Sequence, residues 1–477
     1  MFRKATYRIL GLSLLVAACP GLAWAAVELE GVEAELASAV LNAVSLNREV
    51  CEAPSWRVDA QFRRTPREIR SALEANGFYS SRITSDLELA ADCWVARFRV
   101  EPGEPVRLRN VRAAVTGEGE TDADFAGAVL AASLEPGQQL NHARYEQLKS
   151  DLLNVSRRKG YAAAEFNENR IDVFPAERAA DIVLTFDTGP RYAFGEIIIN
   201  QDMLDPELLT RYLDIEPGTP FDRAALSDLY NDLIDSEYFS LVNVQPLAAN
   251  AETRRIPVQV DLAPGNRLVL SYGGGFATDT GPRFRVSRLN RRLNDRGAQL
   301  SFSTELSPVL SEFLVTYRFP YGDPREEWIS FDSGIKREDS DSTRSDSLEF
   351  GARRIIKRGS DWQQTQFLDL LVEDFEIADT RDRTTLLQPG TSWMRLRADN
   401  TIRPDRGDRL YFEVSAASDE LGSDTSFIQT VAESRWIRTV SPRARILARI
   451  RAAATWNRDF DELPPSARYF AGGDNSV

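Results

Sequence analysis

A chain of 477 residues is too long for one ordinary domain, so two to four folded units are expected. Its 43% hydrophobic and 27% charged content is globular, and a net charge of −14 argues against nucleic acid, whose binders need a basic face to displace counterions. One histidine and three cysteines leave little from which to build a transition-metal site.

At the start of the chain, Arg3, Lys4 and Arg8 precede the apolar run ILGLSLLVAA, and Ala23 and Ala25 supply small residues at cleavage spacing. Residues 1–25 read as a secretory signal peptide, with the mature protein beginning at Ala26. Two alternatives stay open. One is an uncleaved anchor helix. The other is a lipoprotein processed at Val16-Ala17-Ala18-Cys19, against which Pro20 counts. Past this segment no apolar run is long enough for a further spanning helix. With Cys19 removed, Cys51 and Cys93 are an even pair in an exported chain, which usually means one disulfide; two buried free thiols are the alternative.

Three segments then repeat: Arg67 to Glu88, Glu146 to Val173 and Ala225 to Leu247. Each opens with apolar residues at helical spacing, such as Leu148, Leu152 and Val155, or Leu226, Leu229 and Leu233. Each helix runs into an aromatic (Phe78, Tyr161, Phe239) and then a strand. Pro-Gly turns lead into the second and third copies, where Asn141 and Asp222 are placed to cap the helix. A period of roughly 80 residues means tandem domains, since solenoid units run about 20–50 residues. With β-rich runs around each helix, the units are small α+β modules over 26–103, 104–188 and 189–264.

From residue 265 the helical period gives way to a period of two. Leu410, Phe412, Val414 and Ala416 alternate with Tyr411, Glu413 and Ser415, and Ala444, Ile446, Ala448 and Ile450 alternate with Arg445, Arg449 and Arg451. About eleven such segments fit before Trp456. Short turns such as LNDRG, YGDPRE and TVSPRA alternate with long polar stretches such as KREDSDSTRSDS and EDFEIADTRDRTTLLQPG, expected to be loops. That is the pattern of a transmembrane β-barrel. A soluble sandwich is the rival, but three arginines on one side of a single strand suit a water-filled lumen better.

The whole arrangement resembles the outer-membrane assembly-factor superfamily, whose modules are polypeptide-transport-associated (POTRA) domains. The sharpest likeness is the closing phrase Arg468-Tyr469-Phe470-Ala471-Gly472-Gly473-Asp474-Asn475-Ser476-Val477, similar to the superfamily's sixth extracellular loop, which folds back into the lumen. The resemblance thereby marks Arg468, Phe470, Gly472, Gly473, Asp474, Ser476 and Val477 as loop-six residues. Three modules rather than five resemble the translocation and assembly module branch of the superfamily. The fold class expected is α+β followed by all-β: three tandem POTRA domains and an incomplete transmembrane β-barrel over 265–477, with about eleven of sixteen strands. The absent remainder of the loop motif and of the strands implies a fragment, which as given should not close.

No catalytic constellation is present, so the chain is read as not an enzyme and as holding no cofactor. His142, at a helix start, reads as a surface residue with no serine partner, and the acidic run from Asp339 to Asp346 reads as solvated loop before it reads as a calcium site. Function in this class is mechanical. A weak barrel seam exposes backbone groups to an incoming strand, and glycines weaken a strand. Tyr272, Gly273, Gly274 and Gly275 lie in the first expected strand and are the seam candidates; the glycines could equally serve only to bend it. By the resemblance the chain sits in the outer membrane, with its modules in the periplasm. It assembles β-barrel clients such as autotransporters, contacts outer-membrane lipid, and partners an inner-membrane-anchored subunit of the same module. A two-partner secretion pore exporting through the lumen is the alternative, and an envelope structural protein a weaker one.

Overall fold

The computed structural model describes residues 26–89, 93–277, 281–339, 343–359, 361–377, 380–400, 402–457 and 462–469. They fall into two compact units, divided between Tyr192 and Ala193.

The first unit holds two modules. One comprises β1 (Ala26–Glu30), α1 (Ala34–Ala43), α2 (Ser55–Phe62), α3 (Thr65–Ala75), β2 (Arg82–Leu89) and β3 (Trp94–Glu101). The next comprises β4 (Arg107–Thr116), α4 (Ala123–Ala131), α5 (His142–Lys159), β5 (Glu165–Phe174) and β6 (Ala179–Asp187). In each, the last strand is central, parallel to the first and antiparallel to the second, giving orders β1-β3-β2 and β4-β6-β5.

The second module shows why these sequences fold so. Asn141 Oδ1 accepts from the N–H groups of Ala143 and Arg144, at 2.9 and 3.3 Å, and starts α5. Gly160, at φ 82°, ends it in the left-handed conformation that glycine adopts freely. Between them Leu148, Leu152 and Val155 form one buried stripe. It packs on Ala180, Ile182, Leu184 and Phe186, the alternate residues of β6, all fully buried. Each large side chain so buried contributes about 1.5–3 kcal/mol, which makes this stripe the module's main source of stability.

His142 is half-buried, not a plain surface residue as its sequence context suggested. Its Nε2 lies 2.8 Å from the hydroxyl of Tyr79, in the preceding module. A partner 63 positions away leaves no local trace in the sequence.

The second unit begins with a third module of the same topology: β7 (Ala193–Asn200), α6 (Pro206–Thr210), α7 (Arg223–Asp235), β8 (Phe239–Pro246) and β9 (Arg255–Pro264), in order β7-β9-β8. Asp222 caps α7 through the N–H of Ala224. An eleven-strand antiparallel meander follows. Its strands are β10 (Leu268–Ala277), β11 (Gly281–Asn290), β12 (Gln299–Leu306), β13 (Leu310–Pro320), β14 (Glu327–Asp339) and β15 (Thr343–Arg358), then β16 (Trp362–Ile377), β17 (Thr380–Ala398), β18 (Arg406–Ala417), β19 (Phe427–Ser441) and β20 (Ala444–Asn457). Every strand pairs with its chain neighbours, and β10 and β20 are the two edges of an open sheet.

The register sorts side chains onto two walls. The apolar wall carries Tyr317 opposite Phe331, Phe313 opposite Ile335, and Phe350 opposite Leu370. Phe331, Ile335 and Phe350 are about half exposed there, a density of bare apolar groups that water does not tolerate and lipid does. The polar wall holds ion pairs: Arg285 with Glu305; Arg353 with Asp332, Glu349 and Asp369; and Glu433 with Arg409, Arg435 and Arg449.

Two stretches expected as long loops are strand wherever they are described: residues 336–339 and 343–347 belong to the β14–β15 hairpin, and 373–377 and 380–390 to the β16–β17 hairpin, while 340–342 and 378–379 lie outside the described residues. The outward positions of these tips are charged and exposed (Arg337, Asp346, Asp374, Glu376), while inward ones such as Ser345, Glu373, Phe375 and Thr384 are buried, so the apolar-outward alternation that marks a strand is lost. Cross-strand charge pairs stand in for it, with Asp339 to Arg344 at 3.1 Å and Arg337 to Asp346 at 3.6 Å. Pro389 and Gly390 look like a turn and lie inside β17. The β17–β18 ladder begins only at Gly390, so the missing N–H of Pro389 faces no strand partner on that side. A Cβ at Gly390 would come 2.2 Å from the ring of Phe367, which lies across it.

Cys51 and Cys93 are disulfide-bonded, tying the segment before α2 to the start of β3, where the Trp94 indole N–H donates to the Val50 carbonyl. The bond spans 42 positions, for which the chain-entropy treatment gives roughly 4 kcal/mol. Cys51→Ala with Cys93→Ala should lower the urea midpoint of the first module accordingly. Hydrogen exchange at Ala96 and Phe98 of β3 would report it, and unchanged protection there would contradict the estimate.

Candidate functional site

The candidate site is the ring of structure around the first edge strand. Tyr272, Gly273, Gly274 and Gly275 lie in β10, which among the described residues pairs with β11 alone. All four are exposed. The register runs unbroken from Leu268 opposite Asn290 to Ala277 opposite Gly281, so the glycines introduce no bulge. Nor does packing demand them. A Cβ at Gly273 would meet nothing within 4 Å, and one at Gly274 would meet only the Arg283 carbonyl oxygen at 4.0 Å. What three glycines leave is a strand with no side chains to hold its neighbour and a high entropic cost of ordering.

The third module is fixed beneath this edge through two turns. In the turn between β13 and β14, Arg325 donates to Asp214 Oδ1 at 2.8 Å and to Asp232 at 3.1 Å, and also pairs with Asp323 of its own turn. These carboxylates hold the guanidinium pKa above its usual range, Asp323 foremost. The Asp323 carboxyl is held below its ordinary range: burial alone would raise it, and its bonds from Arg325 outweigh that. Beside it, Arg211 donates to the Gly322 carbonyl at 3.1 Å.

The second contact is in the β11–β12 turn. The Tyr238 hydroxyl donates to the Gly297 carbonyl at 2.7 Å, and burial pushes its pKa to about 12. Gly297 sits at φ 73°, and a Cβ there would lie 2.7 Å from that hydroxyl oxygen and 2.9 Å from Leu208. Only glycine fits. Asp205 N–H to the Asp295 carbonyl and Arg291 to Glu237 complete the contact. None of these residues is marked by the sequence, because Arg325 and Asp214 are 111 positions apart.

Of the loop-six candidates, Arg468 is described and the others, Phe470, Gly472, Gly473, Asp474, Ser476 and Val477, lie outside the described residues. The segment before them lies on the polar wall. Leu463 and Ala467 are buried there against Leu371, Leu386, Ala417 and Phe427. Gln429 Nε2 donates to the Ala467 carbonyl, Thr384 to that of Glu462, and Ser466 to Glu373. The Nε of Arg468 donates back to the Leu463 carbonyl at 2.6 Å.

Comparison with known proteins agrees with this architecture. Residues 287–477 match the Omp85 superfamily domain. The chain is 22% identical over 331 residues to the outer membrane protein assembly factor BamA of Nitratidesulfovibrio vulgaris, covering 67% of this chain and 41% of that one. It thus spans about two fifths of the length of that curated relative. Among solved structures, BamA from Haemophilus ducreyi lacking POTRA domains 1–3 superposes with a TM-score of 0.64 at 12% identity, over 78% of this chain and 75% of that one, which shows a shared fold. CdiB from Escherichia coli gives a TM-score of 0.39 at 14% identity, over 84% and 76%, and carries no argument. The chain belongs to the Omp85 family of POTRA-plus-β-barrel proteins. Within that family it is TamA-like, for residues 26–102 match POTRA domain 1 of TamA.

Replacing Arg325 by alanine leaves three carboxylates facing one another, two of them only about a third exposed. The loss should be about 2 kcal/mol, below the range for a fully buried pair. Faster hydrogen exchange in residues 321–326 and 211–214, with the rest of the sheet unchanged, is the expected result. Because the folded pKa of Asp323 is depressed, its contribution is fully present above the ordinary aspartate range and is lost as pH falls through the folded value. The protection of these amides, relative to their intrinsic exchange at each pH, should therefore fall below about pH 4 and stay flat from pH 5 to 8.

Proposed function

We propose that this chain is the outer-membrane subunit of a translocation and assembly module, inserting β-barrel clients such as autotransporters into the membrane that holds it. The observation that carries the proposal is the run Gly273-Gly274-Gly275 in β10, the first strand of the sheet, in unbroken register with β11. A first strand weakened in this way can release its outer N–H and C=O groups as a template on which a client strand pairs before its own barrel closes. The work is mechanical; it needs no catalytic residue and no cofactor. In this reading residues 1–25 direct export, the modules lie in the periplasm and the apolar wall faces outer-membrane lipid. The first module, TamA-like, contacts an inner-membrane-anchored subunit. Three modules rather than two favour assembly over export through the lumen as in a two-partner secretion pore.

Gly274→Val tests it. There is room for the side chain, and a β-branched residue should stabilise the β10–β11 pairing by about 0.5–1 kcal/mol. A tighter seam should cut client insertion severalfold, measured as folded client in the outer membrane at equal levels of this protein. Unchanged client would mean the glycines serve only the shape of the strand. Client lost from the medium but not from the membrane would favour the export pore.

A further inference from the structure

Two cavities meet on the apolar wall, and neither belongs to the seam or to the clamp's ion pairs. The first, of 480 Å³, opens where α6 faces β13. One side is Tyr317 and Phe319, lipid-facing positions of β13, with Pro320 at its turn end. The other side carries Arg211, Arg296 and Glu207. Arg296 and Glu207 are exposed and make no ion pair among the described residues. Arg211 spends one N–H on the Gly322 carbonyl, while its Nε is buried without a hydrogen-bond partner.

The second cavity, of 460 Å³, is a groove higher on the same wall. Ser333 and Ala352 are small and make its floor, between Phe331, Phe350, Leu368 and Leu370. Tyr317 borders both cavities, so a charged cleft at the membrane's edge continues into an apolar channel.

We propose that this wall binds a zwitterionic glycerophospholipid, with its phosphate between Arg211 and Arg296, its ammonium at Glu207 and one acyl chain in the groove beyond Tyr317. Charge complementarity selects the occupant. Two guanidiniums suit a phosphate, whose oxygens accept their N–H groups at short range. A purely anionic head would leave Glu207 facing like charge, and a purely cationic one would face the arginines. A primary ammonium donates hydrogen bonds to a carboxylate, whereas a quaternary one has none to give. The apolar groove requires a tail, which sets the lipid apart from free phosphate or a soluble head group. Against a tail already in hydrocarbon the groove offers van der Waals packing rather than hydrophobic transfer, so the tail contributes retention of any lipid and the head group sets the preference. The site rests on the placement of this wall in the membrane proposed above.

Native mass spectrometry of the protein extracted from its membrane in mild detergent tests the site. Phosphatidylethanolamine, phosphatidylcholine and phosphatidylglycerol would be supplied in equal amounts. Phosphatidylethanolamine should be retained at least fivefold over the other two. Arg296→Gln and Glu207→Gln together should abolish that preference, and Tyr317→Ala should lower retention of all three. Arg381→Gln, on the β16–β17 hairpin tip, should change nothing. Soluble glycerophosphoethanolamine should not compete. Equal retention of the three lipids, a preference for phosphatidylglycerol, or a preference that survives the double substitution would overturn the site. Protein that carries no lipid at all would instead overturn the membrane placement.

Discussion

The constraint on which the rest depends is that a strand in lipid must have both its edges satisfied. Within the eleven-strand sheet each inner strand meets it through two neighbours, which forces the meander, the short connections and the strict separation of apolar from polar walls. Among the described residues β10 and β20 have one neighbour each. An exposed N–H or C=O in hydrocarbon costs several kcal/mol, so a strand whose pairing is weak is a place where another strand can compete. The glycines of β10 make that pairing exchangeable by denying either partner a firm side-chain grip.

Position matters as much as chemistry at that edge. Arg325 and Tyr238 hold the third module to the turns that follow β11 and β13, close in the meander to β10. A module joined by one linker would swing; one held by a three-carboxylate ion cluster and a buried hydroxyl keeps one orientation. Where the second module has the core aromatic Tyr161 after its helix, the third has the pair Tyr238-Phe239, both buried, and the Tyr238 hydroxyl also bolts the module to the sheet.

Much of the fold was legible because its signals are local. Leu148, Leu152 and Val155 announce a helix by their spacing, Asn141 and Gly160 its ends, and the strands declare themselves wherever one wall is apolar and the other charged. The signal fails where its physical cause fails. In the β14–β15 and β16–β17 hairpin tips the outward positions are charged rather than apolar, so strand reads as loop, and Pro389-Gly390 mimics a turn because the absent β18 ladder cannot be seen from sequence. Tyr272 to Gly275 could be placed in the first strand from the sequence alone. The clamp could not, since Asp214, Asp232 and Arg325 are ordinary charges until folding brings them together. The lipid cleft shares that fate, assembled from α6, the β11–β12 turn and β13.

Strand length around the sheet is uneven. β10, β11 and β12 have 10, 10 and 8 residues, while β15, β16 and β17 have 16, 16 and 19. At about 3.4 Å per residue and a tilt near 45°, eight residues rise only about 20 Å, less than the hydrocarbon core of roughly 30 Å, while sixteen rise nearly twice as far. The rim therefore slopes, low beside the glycine edge and tall on the far side. A bilayer touching the low side must thin to match it, and elastic strain is stored in the lipid at that spot. In the membrane placement proposed above, the lipid is thus thinnest along the flank that carries β10.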